Sequence, residues 1–163
     1  MQGATGPEQG LFEFFRLVAS NRLATTAVEW ATLFAQHNLG TLNNQWVCVD
    51  YNKFSAGSAP EDGCVVVLEQ APGYIWWGDV TPDLRNNGFI PSLNMPSNEY
   101  IFHNLSGFAP LEHEFGGWYG YKTAARYFLS LSFLSLPPTT PPPSHPPLSS
   151  SSKRTPPAIP SPF

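Results

Sequence analysis

Asn43-Asn44-Gln45 sets three amide side chains in a row directly ahead of Trp46-Val47-Cys48-Val49. An uncharged amide is a hydrogen-bond donor that needs no counter-ion. Held in place, such a donor stabilises the negative charge that develops on a carbonyl oxygen during acyl transfer. Asn-Asn shortly after Gly40 is also ordinary turn chemistry, because Asn tolerates left-handed backbone angles. Both readings stand at this level, since catalysis needs convergent groups that spacing alone does not display.

The other reactive side chains offer less. Cys48 and Cys64 are the only two cysteines and make no disulfide framework. If their strands form a tight hairpin with equal offsets, Cys64 falls opposite Tyr51 and not Cys48, so buried free thiols are expected. No Lys, Arg or His flanks either cysteine closely, which leaves neither with the electropositive surroundings of a reactive thiolate. Glu112-His113-Glu114 is the only His-carboxylate cluster. Neighbours in sequence point apart on a helix, so a structural role is expected there. His37 stands near a helix end, where a protonated imidazole favours the carbonyl dipole, and no second His or Cys stands at ligand spacing. No metal and no cofactor is therefore expected.

The elements that must position the amides follow from periodicity. Leu11, Phe14, Phe15 and Val18 keep the helical period, and Leu23, Ala27, Trp30, Ala31 and Phe34 do so again. Two helices, or one bent helix, are predicted, with Ser20 or Asn21 capping the second and Gly40 closing the region. From Gln45 the chain alternates as a strand, with Gln45, Val47 and Val49 on one face and Trp46, Cys48 and Asp50 on the other. Cys64 to Leu68 is a continuous apolar run, the pattern of a strand covered on both faces. Pro72-Gly73 is a turn signal before a third strand at Tyr74 to Trp77. Thr81 and Pro82 open a short helix ending near Gly88, and Asn98 to Asn104 forms another. Helices followed by three antiparallel strands make an α+β layer.

Ordered short motifs then point to a family. S-N-R-L-A from Ser20, W-A-x-x-F from Trp30 and N-L-G-T-L-N-N-Q-W from Asn38 resemble the phospholipase B-like, or laminin ancestor, family. V-D-Y-N-K-F from Val49, L-E-Q-A-P-G from Leu68, D-V-T-P-D-L from Asp79, I-P-S-L-N-M-P from Ile90 and I-F-H-N-L-S-G from Ile101 continue the resemblance in order, and A-R at Ala125 does so more loosely. The match covers about Ser20 to Arg126 and resembles only a C-terminal portion of a family member. It implies an incomplete part of an N-terminal nucleophile (Ntn) hydrolase αββα sandwich, whose exposed Cys attacks acyl ester or amide bonds of lipids. Asn43 or Asn44 would then hold the oxyanion or orient substrate, and Arg126 would orient the nucleophile. Asp50, Glu69, Gln70 and Asp79 match family motifs as strand-end polar groups. The resemblance also implies a lysosomal or extracellular glycoprotein, with Asn104-Leu105-Ser106 as an N-glycosylation acceptor.

Composition sets the limits. Charged residues make up 12% of the chain, against about 25% in soluble domains, beside five Trp, six Tyr and twelve Phe. A surface partly covered by other protein is expected. A formal charge of -4 with no basic run gives nucleic acid and anionic membranes no electrostatic hold. The opening Met1-Gln2-Gly3-Ala4 lacks the pattern of a signal peptide, and the apolar stretch Tyr127 to Leu136 is about half the length of a transmembrane span. Eleven of the 18 Pro follow Leu136, so residues 7–128 are read as the family segment and 129–163 as a disordered Pro/Ser-rich tail.

The expectation is a fragment of a phospholipase B-like hydrolase that is inactive alone, its partners being a lipid or acyl-amide substrate and the missing N-terminal part of the same fold. Two alternatives remain. One is a non-catalytic interaction fragment, and the other is a carbohydrate-binding module lined by Trp76 or Trp77.

Overall fold

The computed structural model of the chain describes residues 10–134. Among the described residues six α-helices and three strands run in the order α1 (Glu13–Leu23), α2 (Ala27–Phe34), β1 (Gln45–Val49), β2 (Val65–Ala71), β3 (Tyr74–Asp79), α3 (Thr81–Asn87), α4 (Glu99–Asn104), α5 (Phe108–Phe115) and α6 (Ala125–Leu134). The strands form one antiparallel sheet in the order β1-β2-β3. This is an α+β arrangement. The expected disorder from residue 129 is not met at its start, because α6 continues to Leu134; residues 135–163 of that tail lie outside the described residues.

The core sits between α2 and one face of the sheet. Val66 and Leu68 of β2 pack against Ala27, Ala31 and Phe34, with Trp46, Cys48, Ile75 and Trp77 at the margin. Burying Leu68 and Phe34 contributes about 1.5–3 kcal/mol each. Trp46 and Cys48 thus belong to the packed face, while Val47 and Val49 are 45% and 46% exposed on the other. The central strand is buried along its whole length, as its continuous apolar run predicted. Trp77 packs on the core, so of the two tryptophans only Trp76 remains on the opposite face, which it shares with Tyr74.

Several local expectations shift. Ser20 and Asn21 lie inside α1 and cap nothing at α2. Thr26 is the cap, accepting from Glu29 N at 3.1 Å, while the Glu29 carboxylate accepts from the Thr25 amide and hydroxyl at 2.8 Å. A Glu three residues after Thr26 lets its carboxylate reach back over the helix start, here to Thr25, and no such residue follows Ser20. Helix α2 ends at Phe34, well before Gly40, and His37 itself takes a positive φ of 54°. The apolar stripe of α1 is present but turned outward: Phe14, Phe15 and Val18 are exposed, whereas Arg16 and Ser20 are buried. Cys64 sits opposite Asp50, one residue from the expected register, and both cysteines are free thiols. At the start of α3, Thr81 is already helical and buried, and its hydroxyl accepts from Val65 N at 2.9 Å while donating to Asp79 Oδ1 at 2.6 Å.

Candidate active site

The paired amides are carried by the segment between α2 and β1, and four attachments fix that segment. Asn38 Nδ2 donates to the carbonyls of Ala71 and Tyr74 at 3.2 and 3.3 Å, and its Oδ1 accepts from Gly40 N at 2.9 Å. Gly40 lies against the β2–β3 turn, where a Cβ would stand 2.7 Å from Pro72 Cα. Thr41 Oγ1 accepts from Glu13 N at 3.2 Å and so closes the N-terminus of α1. Gln70, at the end of β2, donates from its side chain to the Leu42 carbonyl and from its backbone to the Asn44 carbonyl at 3.4 Å. The turn that receives these contacts is sharp because Pro72 presets one angle and Gly73 supplies a φ of 70°.

Asn43 and Asn44 stand at the rim of a cavity of about 370 Å³. Its lining is more polar than apolar: Gln45, Glu69, Gln70 and Pro72 come from the sheet and its turn, Asn94, Met95 and Pro96 from the passage before α4, and Ile101, Leu105 and Phe108 from the region of α4 and α5. A lining that mixes amides with apolar side chains can meet both polar and apolar parts of a ligand. The two asparagines differ. Asn44 Oδ1 is committed to Gln45 N at 2.9 Å. Asn43 makes no side-chain hydrogen bond among the described residues, which leaves its donors open to a ligand.

Glu69 braces the far wall. Its Oε1 accepts from Gln45 Nε2 at 2.6 Å, from Ser97 N at 2.7 Å and from Ser97 Oγ at 2.6 Å, and its Oε2 accepts from Asn98 N at 2.8 Å. Four neutral donors satisfy this buried carboxylate and fix the start of α4, where Asn98 Oδ1 caps Ile101 N at 3.0 Å. Burial, followed by the nearby Glu69 charge, pushes the Tyr121 hydroxyl above its usual range, and that hydroxyl donates to the Pro91 carbonyl at 2.8 Å.

Arg126 is exposed at the start of α6 and does not border the cavity itself. It reaches the wall indirectly, its Nη1 donating to Asn94 Oδ1 at 2.7 Å. Asn94 has a φ of 60°, an uncommon value that Asn tolerates better than most side chains. The structure therefore brings Asn43 and Asn44 to one cavity and joins Arg126 to its far side through Asn94. Of the strand-end polar residues, Glu69 and Gln70 border the cavity, while Asp50 and Asp79 lie at the other end of the sheet.

Neither cysteine stands at this cavity. Burial pushes the Cys48 thiol up to about 11, and Cys64 is 2% exposed with its Sγ donating to the Asp50 carbonyl at 3.6 Å. Glu112, His113 and Glu114 lie on the exposed surface of α5 or at its edge, and no group of three metal-ligating side chains occurs among the described residues. Asn104 is exposed at the end of α4, with its Nδ2 donating to the Tyr100 carbonyl at 3.0 Å. Among the described residues no helix is long and apolar enough to cross a membrane.

Two contributors were missed from sequence. Asn94 sits in an irregular passage where no period applies. Arg16 is buried on α1, and its only signal was a cation one helical turn from Ser20 on the side away from Phe14, Phe15 and Val18.

Comparison with known proteins bears on this geometry. A family model described as Phospholipase B matches residues 4–129. Phospholipase B-like protein A of Dictyostelium discoideum is 42% identical over 118 residues, covering 72% of this chain and 20% of that protein. Phospholipase B-like protein B of the same organism is 48% identical over 100 residues, 61% of this chain and 17% of that protein. Putative phospholipase B-like 2 of Homo sapiens is 37% identical over 121 residues, 74% of this chain and 20% of that protein. The chain thus spans about a fifth of the length of these relatives.

Proposed function

This chain belongs to the phospholipase B family, and from that premise we propose that it supplies the oxyanion side of a hydrolase acting on acyl ester or amide bonds of lipids, in lipid catabolism. The observation that carries the reading is the uncommitted Asn43 amide at the rim of a cavity that also presents Ile101, Leu105 and Phe108. A nucleophile attacks the substrate carbonyl, the carbonyl oxygen takes on negative charge, and Asn43 Nδ2–H donates to it. Collapse of that intermediate expels the alcohol or amine, and water then releases the acid. Asn44 shapes the rim through its bond to Gln45, and Arg126 acts on the opposite wall through Asn94.

The nucleophile in this proposal comes from outside the chain. A thiol held at about 11 by burial is almost wholly protonated at neutral pH, and Cys64 is sealed in the core. The complete enzyme is an Ntn hydrolase with an αββα sandwich, in which the remaining four fifths of a family-length chain supplies a Cys with a free α-amino group to handle its proton. The exposed Val47, Val49, Tyr51 and Phe54 line an open apolar groove of about 620 Å³, consistent with a covering layer supplied by that remainder. The setting is the lysosome or the extracellular space, with Asn104 glycosylated.

The test supplies this chain in trans to a family-length relative lacking its corresponding C-terminal fifth, and measures release of fatty acid from a phospholipid. Activity returns only with both parts present, and Asn43→Ala lowers kcat by about 10²–10³. Turnover by the purified chain alone, or restored activity indifferent to Asn43→Ala, refutes the proposal. The apolar groove also favours a second reading, a non-catalytic interaction fragment, which predicts association in trans without any recovered turnover.

A further inference from the structure

Arg16 is 4% exposed, yet it has no carboxylate partner in hydrogen-bond contact. Among the described residues the one ion pair is Arg85–Asp62. The Arg16 guanidinium lies 4.3 Å from the centre of the Phe34 ring, and Nη1 donates to the Phe34 carbonyl at 2.6 Å. Nη2 donates to Gln70 Oε1 at 2.5 Å, while the buried Nε has no partner. Desolvating a cation in this way is expensive, and an aliphatic side chain of similar length would avoid it. Two donors on one side chain, meeting the Phe34 carbonyl and Gln70 Oε1 at once, explain its presence. Arg carries donors and no acceptor, so Gln70 must present Oε1 to it, and the amide is thereby turned with Nε2 toward the Leu42 carbonyl. The Gln70 backbone N–H meets the Asn44 carbonyl. The peptide carbonyls on either side of Asn43 are therefore both held by one residue, and the orientation of its side chain is set by Arg16.

We infer that Arg16 is a positioning residue for the Asn43 amide, acting through Gln70 as a two-point clamp on Leu42 and Asn44. The inference deepens the reading of Asn43 as the oxyanion donor and rests on it for its functional meaning, but the clamp itself is a structural claim that needs no turnover. A donor that must meet developing charge works only if it is already in place, and a loop free to move forfeits that advantage.

The test is ¹⁵N relaxation on the full 163-residue chain and three variants. Gln70→Glu keeps an acceptor for Arg16, turning that contact into an ion pair, but removes the donor to Leu42. Backbone order parameters at Leu42 to Asn44 are expected to fall from about 0.85 to below about 0.6 while β2 and β3 stay rigid. Arg16→Met is expected to loosen the same three residues, and Arg16→Lys, which restores one cationic donor, to recover part of the loss. Unchanged order parameters at Leu42 to Asn44 in Gln70→Glu overturn the clamp. So does an Arg16→Met variant whose added motion is spread evenly over the sheet, because that is the mark of a merely structural residue. Should Arg16→Met fail to fold, Gln70→Glu still decides the matter. These outcomes are independent of the acyl-transfer test, whose failure would remove the role of Asn43 and leave the clamp intact.

Discussion

Gly40→Ala measures how firmly the amide-bearing segment is seated on the β2–β3 turn, and Gly57→Ala provides its control. Gly40 has a φ of 72° and Gly57 a φ of 85°, so a Cβ is unwelcome at both on conformational grounds. That penalty is about 1–2 kcal/mol per residue. The surroundings separate the two. At Gly57 nothing lies within 4 Å of the added methyl, whereas at Gly40 it would meet Pro72 Cα at 2.7 Å and Pro72 Cβ and N at 3.2 Å. A backbone atom cannot swing aside as a side-chain end does, and overpacking of this kind adds about 1–3 kcal/mol. Gly57→Ala should therefore lose about 1–2 kcal/mol and Gly40→Ala about 2–5 kcal/mol. Urea titration followed by tryptophan fluorescence resolves the difference: with a slope of about 1–3 kcal/mol/M the two midpoints should stand roughly 1 M apart. The gain in unfolded-state order from replacing Gly is common to both variants and cancels in the comparison. Midpoints that agree within about 0.2 M would refute the reasoning, since Pro72 would then exert no constraint on Gly40.

Three further outcomes follow from named contacts. Thr81→Val keeps shape and burial but strips Val65 N of its acceptor, and should destabilise by about 1–3 kcal/mol in the same titration. Burial opposes the Asp79 charge, but hydrogen bonds from Thr81 and Gly63, with Arg85 nearby, outweigh it and hold the carboxyl below its usual range. Its contribution is then present above about pH 4 and is lost as pH falls through the lowered folded value, so Asp79→Asn should show a shallower acid decline in midpoint. Burial raises the Cys48 thiol from 9.0 to about 11. Stability linked to it is intact below pH 9.0 and is lost as pH climbs toward 11, and Cys48→Ala should flatten that alkaline decline in thermal melts.

Local chemistry made much of the fold legible. The start of β1 at Gln45 follows from alternation, the β2–β3 turn from Pro72-Gly73, and a helix is expected over Asn98 to Asn104, where α4 lies. Each depends on residues within a few positions of one another. The facing of α1 did not follow, because a period reports that a stripe exists and not what lies against it; here Phe14, Phe15 and Val18 point outward and Arg16 points in. The same limit applies to β1, where Val47 and Val49 looked as suited to a core as Trp46 and Cys48. The one-residue error in the position of Cys64 arose because the tight turn Tyr51–Lys53 takes Tyr51 out of the pairing and leaves Asp50 opposite Cys64.

From its residues alone this chain discloses its family, its strand and helix types, and a pair of adjacent amides ahead of a strand, because those depend on short-range order and on motifs in sequence. Only the folded molecule decides that Asn43 faces a cavity shared with Asn94, that Arg126 reaches that wall, and that Arg16 and Gln70 hold the loop. These contacts join residues as far as 54 positions apart, and no local rule of spacing or propensity encodes which distant side chains meet.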